Sequence, residues 1–428
     1  MLAAIFVGLL LILFMLGVSI PYALAITGIV GMYATGGFGV LQMQTMVQKM
    51  VNGVNGFSLM AIPFFLIAGK LMNVGSITRR IFDFCNGLVG WIPGGLGHAN
   101  VLASVVFAGM SGSAVADAAG LGTIEIKAME EQGFDTDFSA AVTAASSTIG
   151  PIIPPSIPLI MYGVSASVSI SSLLMGGVLP GVLCAITLSI MIAIISIRRK
   201  YPRRHFPSAK ELWHLFSRAF LSLLTPVILI GGIMGGIFTA TEAASVASLY
   251  AIILTMVIYR EAKMKDLYTV IKEAAQESAG IMLVVASSYF YGFVITKLQV
   301  PTLILNAFLA VSSNKAIFLI LINLFFLFVG CFMECNSAIL ILTPIVLPAA
   351  MSFGIDPIHF GLIMVFNLMI GLLTPPVGMC LYATMKVAKI SFDRMVKSVL
   401  IFFVPLVITL ILITYIPQIT LFLPGILG

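Results

Sequence analysis

Charge is scarce in this sequence. Only 9% of its residues are Asp, Glu, Lys or Arg, against 60% hydrophobic, where a soluble domain is about a quarter charged. A water-soluble fold is thereby excluded. Histidine is down to four residues (His98, His205, His214, His359), scattered along the chain, so no imidazole metal centre is expected. The five cysteines (Cys85, Cys184, Cys331, Cys335, Cys380) are odd in number, lie in or beside apolar segments and form no CxxC pair. They read as small buried hydrophobes. No HExxH, GxSxG or Walker phosphate loop occurs, which argues against an intramembrane enzyme and leaves ATP-driven transport needing a separate motor subunit. The net charge is +6, yet the basic residues form no face interleaved with aromatics, so nucleic acid is not an expected partner.

What is abundant is apolar sequence in runs near the length that spans a bilayer, about 20 residues. They cover 2–16, 57–71, 173–197, 220–238, 243–259, 316–329, 360–373 and 399–416. One polytopic all-α membrane domain follows, with the lipid bilayer as its solvent. The first run has no basic leader and no small-residue cleavage site, and reads as a retained helix rather than a signal peptide. Two further segments, 41–56 and 261–278, carry apolar residues at helical spacing on polar ground, as interfacial amphipathic arms do. A simple surface connector accounts for them equally well.

The sequence repeats itself. Gly133-Phe134-Asp135 recurs as Gly354-Ile355-Asp356, and Pro154-Pro155 as Pro375-Pro376, both at a separation of 221 residues. Ser113-Ala114 matches Ser337-Ala338, and Gly17-Val18 matches Gly236-Ile237, in nearly the same register. Four pairs in one order indicate a duplication. The first unit is expected over 1–197, with a re-entrant hairpin about 99–130 and a broken helix about 138–162. A basic linker is expected over 198–215. The second unit then covers 216–428, with its hairpin about 316–352 and its broken helix about 359–384.

Charge orients the two units. The linker run Arg198-Arg199-Lys200-Tyr201-Pro202-Arg203-Arg204 belongs in the cytoplasm by the positive-inside rule. Five crossings and one hairpin per unit, with both termini periplasmic, put 18 of the 22 Lys and Arg on the cytoplasmic side. Only Lys49, Lys297 and Lys315 then face out, and Lys70 falls within a span. The units are therefore expected to be inverted.

Helix breakers at membrane depth mark the chemistry, because irregular backbone survives there only against protein or a wet cavity. The stretch 146–156 (SSTIGPIIPPS) holds three prolines and four hydroxyls, and its partner 371–378 (GLLTPPVG) sits at the matching place. Proline removes an amide donor and clashes with the preceding turn, so carbonyls are left to ligate a small hard cation. The other matched pair, 109–114 (GMSGSA) and 334–338 (ECNSA), lies between short apolar runs that suit a hairpin tip. Half-helix N-termini favour anions while unwound carbonyls hold a coupling cation, so two cation sites with a substrate between them are expected. Close packing of small residues is the bland alternative. Asp117, Glu242 and Glu334 are the acids expected at depth, where charge costs roughly 2.5–3.5 kcal/mol on insertion scales. Glu242 can instead cap a helix after Thr239 or Thr241, and proton coupling through Asp117 or Glu334 stays open.

At these residues the sequence resembles the large membrane subunit of the tripartite ATP-independent periplasmic (TRAP) transporters of the dicarboxylate and sialic acid type. The resemblance spans essentially the whole chain and rests on SGSAVADAAGLGTI from Ser111, IIPPSIP from Ile152, GIFTATEAA from Gly236, GIDPIHFG from Gly354 and NLMIGLLTPPVG from Asn367. Two departures are visible: the family pattern usually has proline where Ala240 stands and aspartate where Glu334 stands. The resemblance implies an elevator-type fold, with a scaffold and a transport domain holding both hairpins and both broken helices. It implies sodium-coupled import of an organic acid in a bacterial inner membrane, with a periplasmic substrate-binding protein and a small four-helix membrane subunit as partners. Carried over by position, one sodium site involves Ser111, Gly112, Ser113, Thr148 and Gly150, and the other Cys335, Asn336, Ser337, Thr374 and Gly378. Substrate is expected at Ser113, Asp117, Pro154, Pro155 and Ser156. A stand-alone sodium/carboxylate symporter of the same fold is the competing expectation.

Overall fold

A computed structural model describes residues 2–427 apart from 37, 38, 75 and 312, and among the described residues there are helices and turns but no strand. The first ten helices are α1 (Leu2–Met15), α2 (Ile20–Gly36), α3 (Val40–Val54), α4 (Ala61–Met72), α5 (Ile77–Val89), α6 (Gly95–Ser111), α7 (Ala114–Glu131), α8 (Thr136–Ser147), α9 (Ile157–Ala166) and α10 (Ile170–Arg199). The second ten are α11 (Ala209–Met234), α12 (Ala240–Ile252, continued by a π-helical stretch Ile253–Ile258), α13 (Met264–Lys297), α14 (Val300–Val311), α15 (Lys315–Gly330), α16 (Cys335–Ser352), α17 (Pro357–Gly371), α18 (Met379–Ala388), α19 (Phe392–Tyr415) and α20 (Gln418–Leu427).

Like caps recur at like places. Asp135 and Asp356 stand at the N-caps of α8 and α17, and Ser169 and Ser391 at those of α10 and α19. Gly17 and Gly236, then Gly133 and Gly354, take positive φ after corresponding helices, the conformation that ends a helix without a Cβ penalty. Packing is reciprocal as well: α2 lies on α13 as α12 lies on α4, α7 on α18 as α16 on α9, and α8 on α19 as α17 on α10. These three contacts are each repeated with the halves exchanged.

Six described helices are long and apolar enough to cross a membrane: α10, α11, α12 with its π-helical continuation, α13, α16 and α19. Two bent pairs, α3 with α4 and α14 with α15, raise that to as many as eight. The expected amphipathic arms differ in kind. The first forms α3 and bends by 55° into α4, because Asn55-Gly56 interrupts the helix. The second does not stand alone: Ser278-Ala279-Gly280 contains no strong breaker, and the arm runs on as one 34-residue helix, α13.

The expected boundaries shift by a few residues for capping reasons. Arg198 and Arg199 complete α10, which ends where Lys200 turns left-handed, and Ser208 accepts from the Glu211 amide to start α11. The irregular linker is therefore 200–208 rather than 198–215. The hairpins occupy 95–131 and 315–352, and the broken helices 136–166 and 357–388.

The hairpins and broken helices contain the most buried part of the molecule. Of α17, every residue from His359 to Gly371 is buried. Asn100 on α6 ties that hairpin to α8, donating to Thr143 Oγ1 at 2.7 Å and accepting from Ser146 Oγ at 2.7 Å. In the second half, Asn367 on α17 donates to Asn323 Oδ1 on α15 at 2.6 Å. Buried amides must be paired, so these bonds fix each hairpin's first arm against its broken helix.

Candidate functional site

Each hairpin turns at a helix N-terminus built to hold it. Ser113 caps α7, its Oγ accepting from the Ala116 amide at 3.4 Å. Gly112 precedes it at φ +60° with the Pro155 carbonyl close by. At the second tip Glu334 caps α16, accepting from the amides of Asn336 (3.0 Å) and Ser337 (2.9 Å) and from their side chains at 2.8 and 3.1 Å. Its negative charge is compensated by these donors and by the positive end of α16. Glu334→Ala is expected to lower stability by about 1–2 kcal/mol, the worth of a strong cap. The unfolding temperature of the purified protein should fall accordingly, with Glu334→Asp avoiding most of the loss.

The broken helices unwind beside these tips. After Ser147, Ile149 and Gly150 bond three residues back, to Ser146 and Ser147. The Pro151 carbonyl takes a hydrogen bond from Ser156 Oγ, which also caps α9. Gly177 and Gly181 of α10 let Ile152 and Ile153 lie against them, where any Cβ would collide. In the second half, the Val377 amide leaves its own helix and donates to Cys331 of the hairpin at 3.3 Å. Gly330 and Gly371 meet backbone to backbone. The peptide bonds Pro154–Pro155 and Pro375–Pro376 are both cis.

Both tips open on one cavity of about 360 Å³. Of the sequence-predicted residues, Gly112, Ser113, Glu334, Cys335, Asn336 and Ser337 line it, together with Pro151, Ile157 and Leu372 from the broken helices. Ser111, Thr148, Gly150, Thr374 and Gly378 do not line it but stand behind the tips. The Gly150 backbone lies against Ser113, and the hydroxyls of Thr148 and Thr374 donate to the carbonyls of Ala145 (2.6 Å) and Ile370 (3.0 Å). Gly378 starts α18 in a left-handed conformation. The donors gathered at each tip are hydroxyl, amide and carbonyl oxygens apart from Glu334, a set that suits a small hard cation held by unwound backbone.

The substrate-binding expectation divides. Only Ser113 of its five residues reaches the cavity; Pro154, Pro155 and Ser156 are buried in the turn behind it. Asp117 lies one helical turn below the tip, 1% exposed, with neither carboxylate oxygen in a hydrogen bond among the described residues. Glu242 is not in this region at all. It sits in a capping box at the start of α12, with Oε2 2.8 Å from both the Thr239 amide and hydroxyl, and its side chain is exposed. Its short distance from Thr239 in sequence makes that local bond cheaper than any tertiary one.

Sequence reasoning missed the side of the cavity facing the tips, where Leu66 of α4 and Glu277, Gly280, Ile281 and Val284 of α13 form the wall. Lys70, one turn beyond Leu66, bonds Glu273 at 3.1 Å and Glu277 at 2.7 Å. An isolated lysine in an apolar run was the available signal. The matched Asn100 and Asn323 went unread because one polar residue in a long apolar segment carries no periodicity.

A family model describing the DctM component of tripartite ATP-independent periplasmic transporters matches residues 7–419. The chain is 43% identical over 377 residues to the sialic acid TRAP transporter large permease protein SiaM of Vibrio cholerae, covering 88% of each chain. It is 36% identical over 380 residues to the C4-dicarboxylate TRAP transporter large permease protein DctM of Pseudomonas aeruginosa, covering 89% of each. Among solved structures, the YdaH transporter of Alcanivorax borkumensis superposes with a TM-score of 0.68 at 13% identity, covering 96% of this chain and 97% of that one. That likeness concerns the fold alone. A multi-pass membrane transport component rather than an enzyme, the chain belongs to the DctM family of the tripartite ATP-independent periplasmic transporters.

Proposed function

We propose that this chain is the sodium-coupled carrier subunit of a three-part system that imports an organic acid of the sialic acid or C4-dicarboxylate type. A periplasmic binding protein delivers the acid and a small four-helix membrane subunit packs on the scaffold. The names of the relatives support the solute class and the three-part organisation. The observation that carries the mechanism is the meeting of two capped hairpin tips and two unwound helices around a single cavity. Tips that end in helix N-termini offer positive dipole ends to a carboxylate, while the backbone behind them offers oxygens to sodium. One sodium is assigned to Ser111, Gly112, Ser113, Thr148 and Gly150, and a second to Cys335, Asn336, Ser337, Thr374 and Gly378.

In this reading the two units are inverted, with 198–204 cytoplasmic and both termini periplasmic. The hairpins and broken helices move as one body along a scaffold made of α1–α5 and α11–α14. Reciprocal packing of the two halves supports that division, since a two-fold relation supplies two alternative alignments of similar energy. Capped tips that close the cavity from two sides favour alternating access over a continuous pore.

Uptake of labelled acids into proteoliposomes containing the complete system, with and without an imposed sodium gradient and with and without the binding protein, tests the proposal. Ser113→Ala and Thr374→Ala should each raise the sodium concentration for half-maximal uptake by about tenfold, the loss of one ligand oxygen from a charged partner. Unchanged sodium curves in both variants would remove the assigned sites. Full uptake without any binding protein would convert the reading to a stand-alone symporter.

A further inference from the structure

Among the described residues, the cavity walls contain two carboxylates, Glu277 and Glu334, and no Lys or Arg. That is an odd lining for a compartment that holds an anion. Glu334 is compensated, its oxygens taking four hydrogen bonds from the tip of α16. Glu277 is not compensated to the same degree. Its partner Lys70 is shared with Glu273, one turn away on α13, and both glutamate side chains are about half exposed. Three charged groups, one positive and two negative, thus leave a net negative charge on the cavity's scaffold wall. Lys70 extends α4 beyond Leu66, another wall residue, toward the end of the molecule that bears Arg80 and Glu261.

We infer that the Lys70–Glu273–Glu277 triad is an electrostatic release device, a set of specificity-determining charges that weakens the cavity's hold on an organic anion in this alignment. The inference rests on the carrier reading above. A scaffold charge faces the substrate cavity only when the moving body is aligned with it, so the same tips bind the anion more tightly elsewhere in the cycle. A cavity of this volume is roughly 9 Å across, and no solute inside it lies beyond about one Debye length of Glu277. Release is thereby driven at one end of the stroke only.

The triad predicts effects of opposite sign, which a purely structural ion cluster does not. In everted membrane vesicles containing the whole system, E277Q should lower the half-saturating acid concentration about fivefold and slow turnover, whereas K70M should raise it about fivefold. E273Q, which does not touch the lining, should act like E277Q and keeps the test alive if K70M fails to fold. Both shifts should shrink at high salt. A second measurement needs no solute. With Gly280→Cys placed in the cavity wall, the rate ratio of an anionic to a cationic methanethiosulfonate reagent should rise with E277Q and fall with K70M. An unchanged ratio overturns the triad whatever the solute. Shifted ratios with wild-type uptake that is absent for every acid overturn the carrier reading instead. Shifted ratios with uptake constants moving in the same direction in E277Q and K70M overturn the release role.

Discussion

Gly112→Ala is expected to cut uptake at least ~100-fold while leaving a folded protein, since it combines two penalties at a tight contact between hairpin tip and broken helix. Gly112 has φ +60°, and a Cβ there would stand 2.3 Å from the Pro155 carbonyl oxygen. Left-handed backbone costs an ordinary residue about 1–2 kcal/mol, and overpacking a tight contact about 1–3 kcal/mol more. Neither oxygen nor tip can yield cheaply, because Ser113 caps α7 directly after Gly112 and Ser156 caps α9 directly after Pro155. The turn therefore opens, and the cavity loses its geometry. Gly133→Ala is the control: φ is +86° but nothing lies within 4 Å of its Cβ position. It should show the backbone cost alone, with lower thermal stability and near-normal uptake. Equal uptake by the two variants would separate the tip contact from function.

Gly371→Val is expected to prevent accumulation of the protein. A Cβ at Gly371 would stand 2.5 Å from both the Cα and the carbonyl carbon of Gly330, and backbone atoms cannot rotate aside as a side chain can. Relief requires α15 and α17 to separate, which pulls on the 2.6 Å bond between Asn367 and Asn323 in a buried setting. Gly371→Ala should be recoverable but less stable by about 3 kcal/mol, at the upper end of overpacking costs. Gly330→Ala should be milder, because the Gly371 Cα would lie 3.0 Å from its Cβ. Unfolding temperatures in detergent check the order wild type, Gly330→Ala, Gly371→Ala; the reverse order would mean that the helices do not meet on these glycines.

Much of this architecture is legible in the residues. The prolines at 151–158 and 375–376 and the glycines at 133 and 354 announce where helices stop, because their backbone restrictions are local and need no partner. Hydroxyls placed beside those breaks, at Ser111, Ser113, Thr148 and Thr374, mark the tips and turns for the same reason. Glu242 shows the opposite case. An acid in an apolar neighbourhood looks buried on composition alone, while the structure gives it the local cap with Thr239. Asp117, Pro154, Pro155 and Ser156 lie close to the site in sequence, yet whether each meets the cavity depends on the rotation of α7 for Asp117 and on how the turn packs for the other three, and none of them lines it.

Membrane residence, the duplicated helix breaks and the sites of chain reversal follow from the amino-acid order, since each depends on a few neighbouring residues and their intrinsic backbone preferences. Tertiary packing alone decided that α13 lies beside α4, that Lys70 reaches both Glu273 and Glu277, and that the two tips share a single cavity. Those relations join residues about 200 positions apart, and no local preference encodes a distance set by how apolar helix faces and small residues fit together.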